Sequence, residues 1–159
     1  MTTRSLILIK PDGVKRGLIG KIVERLERPG LKIIGMKMVW IDEDFSKKHY
    51  KEHVEKEFYK NLEKFIVSGP IVAIVVEGVE AVENVRKIVG DTEPYKALPG
   101  TIRGDFAHHH VEFTNREKKA VMNLIHASAN KKEAEEEINL WFSESELHDY
   151  STVHEDHVF

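Results

Sequence analysis

Asn123-Leu124-Ile125-His126-Ala127-Ser128 places one histidine at the end of a mostly apolar run, Val121 to Ile125, shortly before a helix start. A strand that stops at a histidine presents a rigidly held imidazole at a sheet end. Neutral imidazole is a nucleophile near pH 7 and can take up a phosphoryl group. A lone histidine at such a place is more often only a polar strand terminus, so the weight comes from cations elsewhere in the chain. Lys10 stands at the end of the first apolar run, before a Pro11-Asp12 turn, and Arg86 and Arg103 offer planar donors for phosphate oxygens. Phosphoryl transfer asks mostly for positioning and charge neutralisation, which one lysine and two arginines supply. Each cation taken singly is ordinarily a surface charge; together, beside a histidine, they make a case.

Other phosphate chemistries lack their parts. There is no Gly-x-x-x-x-Gly-Lys-Ser/Thr cradle, no His-Arg-Asp or Asp-Phe-Gly element and no Gly-x-Ser-x-Gly elbow. With no cysteine there is no disulfide framework and no thiolate nucleophile or ligand, which fits a cytoplasmic protein. The net charge of −3 by itself suggests no nucleic-acid or acidic-membrane surface. No apolar run is long enough to span a bilayer, and the first ten residues are too short for a signal-peptide core. Three consecutive histidines, His108 to His110, could attract a metal, but nothing in the sequence fixes their ring nitrogens, so adventitious or no binding is the better reading.

The elements that must position these residues follow from periodicity. With 159 residues, 41% apolar and 32% charged, the chain can bury one core. Ser5–Ile9 reads as a strand ended by Pro11-Asp12-Gly13, and Leu18, Ile19, Ile22, Val23 and Leu26 recur at helical spacing up to Pro29-Gly30. Alternation over Leu31–Trp40 predicts a second strand. Ser46–Glu57 and Asn61–Ser68 suit a helical pair, and Ile71–Val76 a buried strand. Val79, Val82, Val85, Ile88 and Val89 line a helix, Val121–Ile125 forms a fourth strand, and Ala134, Ile138, Trp141 and Phe142 line a last helix. This order predicts an α+β sandwich of ferredoxin-like type: a four-stranded antiparallel sheet with helices on one face. Residues 1–142 form one domain and residues 143–159 a polar, extended arm. Gly90–Gly104 has no period and reads as a long loop, of the kind that is functional or disordered.

These residues, in this order, resemble the nucleoside diphosphate kinases over nearly the whole chain. The resemblance rests on Ile9-Lys10-Pro11-Asp12-Gly13-Val14, Arg16-Gly17-Leu18-Ile19-Gly20, His49-Tyr50 and Ser68-Gly69-Pro70-Ile71-Val72-Ala73. It continues through Glu77-Gly78, Arg86, Gly90-Asp91-Thr92, Pro94, Pro99 to Phe106 and the His126 segment. It implies a ping-pong transfer of a γ-phosphoryl group from a nucleoside triphosphate to a nucleoside diphosphate through phosphorylated His126. Lys10, Arg86 and Arg103 would hold phosphates, Thr92 would donate a hydroxyl, and Tyr50 would help fix the site near Lys10. Phe58 would stack on the base, and Lys10 and Asn123 would contact ribose hydroxyls. Ser128 and Glu137 would orient the histidine; helical spacing independently puts Glu137 at the edge of the buried face, although taken alone it reads as a solvated carboxylate. Magnesium would arrive bound to the nucleotide, with no direct protein ligand. The resemblance also implies a homo-oligomer, commonly a hexamer.

Two departures accompany it. Ala129 stands where the family signature has Asp, though Asn130 and Glu133 preserve a helix start. The stretch Ala107 to Met122 is longer than its counterpart and carries Val111 and Phe113, an expected effect on assembly rather than chemistry. A non-catalytic nucleotide-binding or assembly relative is the alternative, and a ferredoxin-like RNA-binding or regulatory domain a third reading that the negative charge disfavours.

Overall fold

The computed structural model describes residues 2–158, so the outermost residues of the expected domain and arm, Met1 and Phe159, lie outside the described residues. Four strands form one antiparallel sheet: β1 (Thr2–Ile9), β2 (Lys32–Val39), β3 (Ile71–Val79) and β4 (Ile125–Ala127), in the order β2-β3-β1-β4. Leu6 to Ile9 on β1 are wholly buried. Because successive side chains point to opposite faces, one strand feeds two cores. Ile7 and Ile9, with Ile74 and Val76 of β3, meet α2 (Ile19–Glu27) and α5 (Ala81–Val89) through Ile22, Leu26, Val85 and Val89. Leu6 and Leu8, with Ala73 and Val75, meet α3 (Glu43–His49), α4 (Tyr59–Ile66) and α8 (Lys131–Trp141) through Phe45, Tyr59, Ile66, Ile138 and Trp141.

The sheet and its antiparallel pairing are as the sequence predicts. The expectation of helices on one face is corrected: α2 and α5 cover one face, and α3, α4 and α8 cover the other. The reason is legible in β1, whose Leu6-Ile7-Leu8-Ile9 run is apolar on both faces and needs cover on both.

The fourth strand is also displaced from its expected place. The chain at Leu124 takes a left-handed backbone, φ 72, and its N–H donates to Asp12 Oδ2 (3.0 Å) while its carbonyl accepts from Lys10 N (2.8 Å). That kink keeps Val121–Asn123 out of the sheet. Pairing starts at Ile125, and His126 sits at the centre of β4 opposite Leu8. The run Gly90–Gly104 is not structureless: a 3-10 turn forms at Pro94–Lys96, and α6 (Ile102–Phe106) begins with Thr101 Oγ1 accepting from Gly104 N at 3.0 Å. Inside the expected insertion, α7 (Val111–Arg116) leaves Val111 and Phe113 exposed. The tail folds back along β2: His148 N donates to Ile34 O (2.8 Å), Tyr150 hydroxyl to Ile33 O (2.6 Å), and α9 (Glu155–Val158) ends beside Gly30.

Gly13, in the short helix α1 (Pro11–Lys15), lies between the end of β1 and the Leu124 backbone that precedes β4. A Cβ there would sit 2.8 Å from Ile9 Cγ2 and 3.1 Å from the Leu124 carbonyl. Gly13→Ala is therefore expected to destabilise the fold by about 1–3 kcal/mol through overpacking, measured by urea unfolding. An unchanged midpoint would show that this junction has slack.

Candidate active site

Two elements meet at His126. β4 delivers the imidazole from the centre of a three-residue strand, and the second turn of α8 delivers Glu137, which is buried. α8 starts where Asn130 Oδ1 accepts from Glu133 N (2.9 Å), and the Glu133 carboxylate accepts from Ala129 N. The helix start is thus closed with alanine at position 129. Glu137 Oε1 lies 2.7 Å from His126 Nε2, and Glu137 Oε2 accepts from Ser128 Oγ at 2.6 Å. Ser128 Oγ in turn accepts from Leu6 N at 3.2 Å, so the carboxylate is tied to the central strand. A carboxylate against Nε2 favours the Nε2–H tautomer, which leaves the Nδ1 lone pair for chemistry.

Electrostatics set the charge state of the pair. Burial, followed by the positive charge of Lys10, pulls His126 down to about 3. Burial raises Glu137, opposed by the Ser128 hydrogen bond and by His49. The Glu137–His126 contact has the distance of an ion pair. With the imidazole held neutral, it is a hydrogen bond from Nε2–H to the carboxylate.

Beside it stands a cationic cluster built on Asn123. Lys10 Nζ donates to Asn123 Oδ1 (2.8 Å), and Asn123 Nδ2 donates to the Thr92 carbonyl (2.8 Å). Arg103 donates to three carbonyls: Asn123 (3.2 Å), Gly90 (3.1 Å) and Ile125 (2.6 Å). Lys10 and Arg103 are only 8% and 7% exposed, an unusual burial for cations that have no carboxylate partner in hydrogen-bond contact among the described residues. Desolvation lowers Lys10 to about 8, helped by Arg103 and opposed by Asp12; burial and Arg86 lower Arg103 to about 10.

The remaining sequence candidates are placed more loosely. Tyr50 is buried next to His49, with ring centroids 4.5 Å apart, and its hydroxyl has no hydrogen-bond partner among the described residues. Arg86 and Thr92 are exposed; Arg86 reaches the site through its charge, which lowers both His126 and Arg103, and Thr92 through its backbone. Phe58 is exposed at the start of α4, its ring 5.6 Å from His53, away from the His126 contacts.

Sequence reasoning assigned no role to three residues here. Asp12 fixes Leu124, as described above. Trp141 Nε1 donates to His49 Nδ1 (3.1 Å), and the His49 ring stands edge-to-face on His126 at 4.8 Å. His49 was visible only as part of the His49-Tyr50 pair, and no spacing links it to Trp141 across 92 positions.

His49, His126 and Glu137 bring ligand atoms within 4.8 Å of one another, a donor set of metal-binding type. His49 Nδ1 is engaged by Trp141 and His126 Nε2 by Glu137. Two imidazoles and one carboxylate do not suit magnesium, which prefers an oxygen octahedron. A cleft of about 330 Å³ between α3 and α8 opens onto His49, His126 and Glu137. The arginines and Phe58 are not among its lining residues, so it meets the histidine from the Glu137 side.

Comparison with known proteins gives one answer. Residues 3–147 match the family model described as nucleoside diphosphate kinase. A nucleoside diphosphate kinase of Pyrococcus horikoshii is 52% identical over 149 residues, covering 94% of this chain and 90% of the relative. That of Archaeoglobus fulgidus is 46% identical over 156 residues, covering 98% and 97%. Among solved structures, a transition-state mimic of the Borrelia burgdorferi enzyme with vanadate and ADP is 45% identical with a TM-score of 0.95, covering 99% of this chain and 96% of that one. A halophilic enzyme from Halobacterium salinarum in complex with CDP is 42% identical with a TM-score of 0.90, covering 100% and 99%.

The charge state just described can be read directly. Long-range proton–nitrogen NMR should find His126 as the neutral Nε2–H tautomer from about pH 8 to about pH 5, where a free histidine would titrate near 6.5. A His126 that protonates near 6.5 would contradict the buried, Lys10-facing environment.

Proposed function

The chain belongs to the nucleoside diphosphate kinase family of phosphotransferases, and from that premise we propose a ping-pong mechanism in which His126 Nδ1 carries the phosphoryl group. The observation that supports it most is the 2.7 Å contact of Nε2 with Glu137, which commits one nitrogen and frees the other. In the first half-reaction the Nδ1 lone pair forms a bond to the γ-phosphorus of a nucleoside triphosphate. The bond from that phosphorus to the β–γ bridging oxygen breaks, and the diphosphate leaves with the electron pair. The Nε2 proton stays in the hydrogen bond to Glu137, where it stabilises the positive charge developing on the ring. The second half-reaction reverses these steps toward a different diphosphate.

Lys10 and Arg103 are proposed to bind phosphate oxygens, with Arg86 joining from the surface. Their burial with no carboxylate in hydrogen-bond contact among the described residues supports this, because arriving phosphates would supply countercharge. The buried Tyr50 hydroxyl, which has no hydrogen-bond partner among the described residues, would help fix the site near Lys10, and Thr92 would donate its hydroxyl to the phosphates. Lys10 and Asn123 would meet the ribose hydroxyls, and Phe58 would offer its exposed face to the base. Magnesium belongs to the substrate, carried on the phosphates, since a bare divalent cation gains nothing among Lys10, Arg86 and Arg103.

The same proposal takes residues 1–142 as the working unit, places it in the cytoplasm and joins it into a closed homo-oligomer of six. Exposed Met36, Met38 and Trp40 at the β2 edge, and Val111 and Phe113 of α7, supply apolar surface for such contacts. Light scattering of the purified chain tests the assembly; a monomer would remove that part.

Incubation with γ-labelled ATP should place acid-labile label on the wild type and none on His126→Ala, whose fold persists. Label on the variant would sink the assignment. Ala in place of Lys10, Arg103 or Arg86 should each lower kcat/KM by about 10²-fold or more; normal kinetics in all three would put the phosphates elsewhere.

The pH dependence carries a sign. Lys10 binds phosphate as the cation, and its value of about 8 means that cation is present below and lost above. Thus kcat/KM, which reports the free enzyme, should hold steady below about pH 8 and fall above it. Lys10→Arg should move that limb upward; an alkaline limb indifferent to this change belongs to another group. Acceptor diphosphates of different bases should differ by less than about 10³-fold, since stacking on Phe58 is base-tolerant, and a greater preference in a purine–pyrimidine comparison would reveal edge readout.

A further inference from the structure

His49 enters none of the roles assigned above, yet it sits against the reacting pair. It is the last residue of α3, and its ring stands at 84° to that of His126 with centroids 4.8 Å apart. Its Nδ1 accepts from Trp141 Nε1. Trp141 is itself held, buried at the end of α8 with Phe45 edge-on at 4.8 Å. A neutral imidazole whose Nδ1 accepts must carry its proton on Nε2. The indole therefore fixes both the tautomer of His49 and the orientation of its ring. His49 also lines, together with His126 and Glu137, the cleft between α3 and α8.

We propose that His49 is a positioning residue for phosphoryl transfer at His126: pinned by Trp141, its ring is held edge-on against the His126 imidazole and keeps that imidazole aligned on Glu137. When Nδ1 bonds to phosphorus, positive charge appears on the His126 ring and is stabilised through Nε2–H by Glu137. That stabilisation depends on the imidazole staying aligned on Oε1 of the carboxylate, whose Oε2 accepts from Ser128. A protonated His49 would repel the developing imidazolium. The titratable groups facing His49 are His126 of β4, Glu137 of α8, Lys10 at the end of β1, and Tyr50 and His53 beyond its own helix. Burial, then His126, holds it at about 3, so it remains uncharged throughout the working range.

The inference rests on His126 being the phosphorylated residue, and the test separates the two. Rapid-quench measurement of His126 phosphorylation by ATP is made across pH for the wild type, His49→Phe and His49→Asn, with ADP affinity and the His126 nitrogen shifts recorded in parallel. Asn keeps an acceptor near the Nδ1 position for Trp141; Phe keeps the ring and removes both nitrogens. His49→Phe should slow phosphorylation by on the order of 10-fold, the scale for losing a group that orients a reactive histidine. ADP affinity should stay within about 2-fold. The acid limb of the rate should move to higher pH, with a matching rise in the pH at which His126 titrates, as the ring released from Trp141 packs less closely on His126 and its burial falls. His49→Asn should recover part of the rate. Wild-type rates and pH profile in both variants overturn the proposal. So does a loss that falls wholly on ADP affinity, or equal losses in both variants with an unmoved His126 titration. Absence of acid-labile label on wild-type His126 would instead overturn the reading of the site itself.

Discussion

The arrangement depends on one contact, the hydrogen bond between His126 Nε2 and a carboxylate that has been taken out of water. Burying Glu137 is costly unless its oxygens are fully served. Both are: Oε1 by the imidazole, Oε2 by Ser128, whose own hydroxyl accepts from the Leu6 backbone. The consequence runs outward through the fold. Leu6 belongs to the central strand, whose two faces support both cores, so the orientation of one imidazole is referred to a strand that is wholly buried from Leu6 to Ile9. Burial lowers the affinity of the histidine for protons and raises that of the acid, which keeps the pair as neutral imidazole and carboxylate sharing a single proton.

The cations beside it are organised by a different economy. Arg103 gives three of its donors to backbone carbonyls, and Lys10 gives one to Asn123. None of these bonds neutralises charge; they hold geometry. The result is a positive field that is fixed in place before any anion arrives, in a setting where such charges act strongly. Asn123 is the hub, since its side chain bridges Lys10 to the Thr92 carbonyl while its own carbonyl accepts from Arg103. The left-handed backbone at Leu124, held by Asp12 and Lys10, lets Asn123 leave the strand direction and do this while Ile125 and His126 enter the sheet.

Much of this was legible in the sequence where a period or a cap operates locally. The spacing of Ile22 and Leu26, the alternation over β2 and the continuous run of β3 each predict an element that forms, and Asn130 with Glu133 starts α8 as written. Local rules failed where distant groups decide. Val121–Ile125 has the composition of a strand, but Asp12, over a hundred positions away, claims the Leu124 amide and moves the strand to Ile125–Ala127. Gly90–Gly104 lacks a period because its α6 is one short helix, capped by Thr101 and tied by Arg103 to β4. The cover on both faces of the sheet was written in Leu6-Ile7-Leu8-Ile9, but which helices supply it depends on how the chain returns.

By itself, then, the sequence determined which chemistry is available: a histidine nucleophile, three cations of the right types, and the order of elements that carries them. Side-chain identity sets reactivity, and periodicity sets secondary structure, and both are local. Only the tertiary structure decided which nitrogen of His126 is free, that Lys10 and Arg103 are stripped of water while Arg86 is not, and that His49 stands on the reacting ring. Those are properties of burial and of contacts between residues far apart in the chain, and neither exists until β1, β4, α3 and α8 have closed on one another.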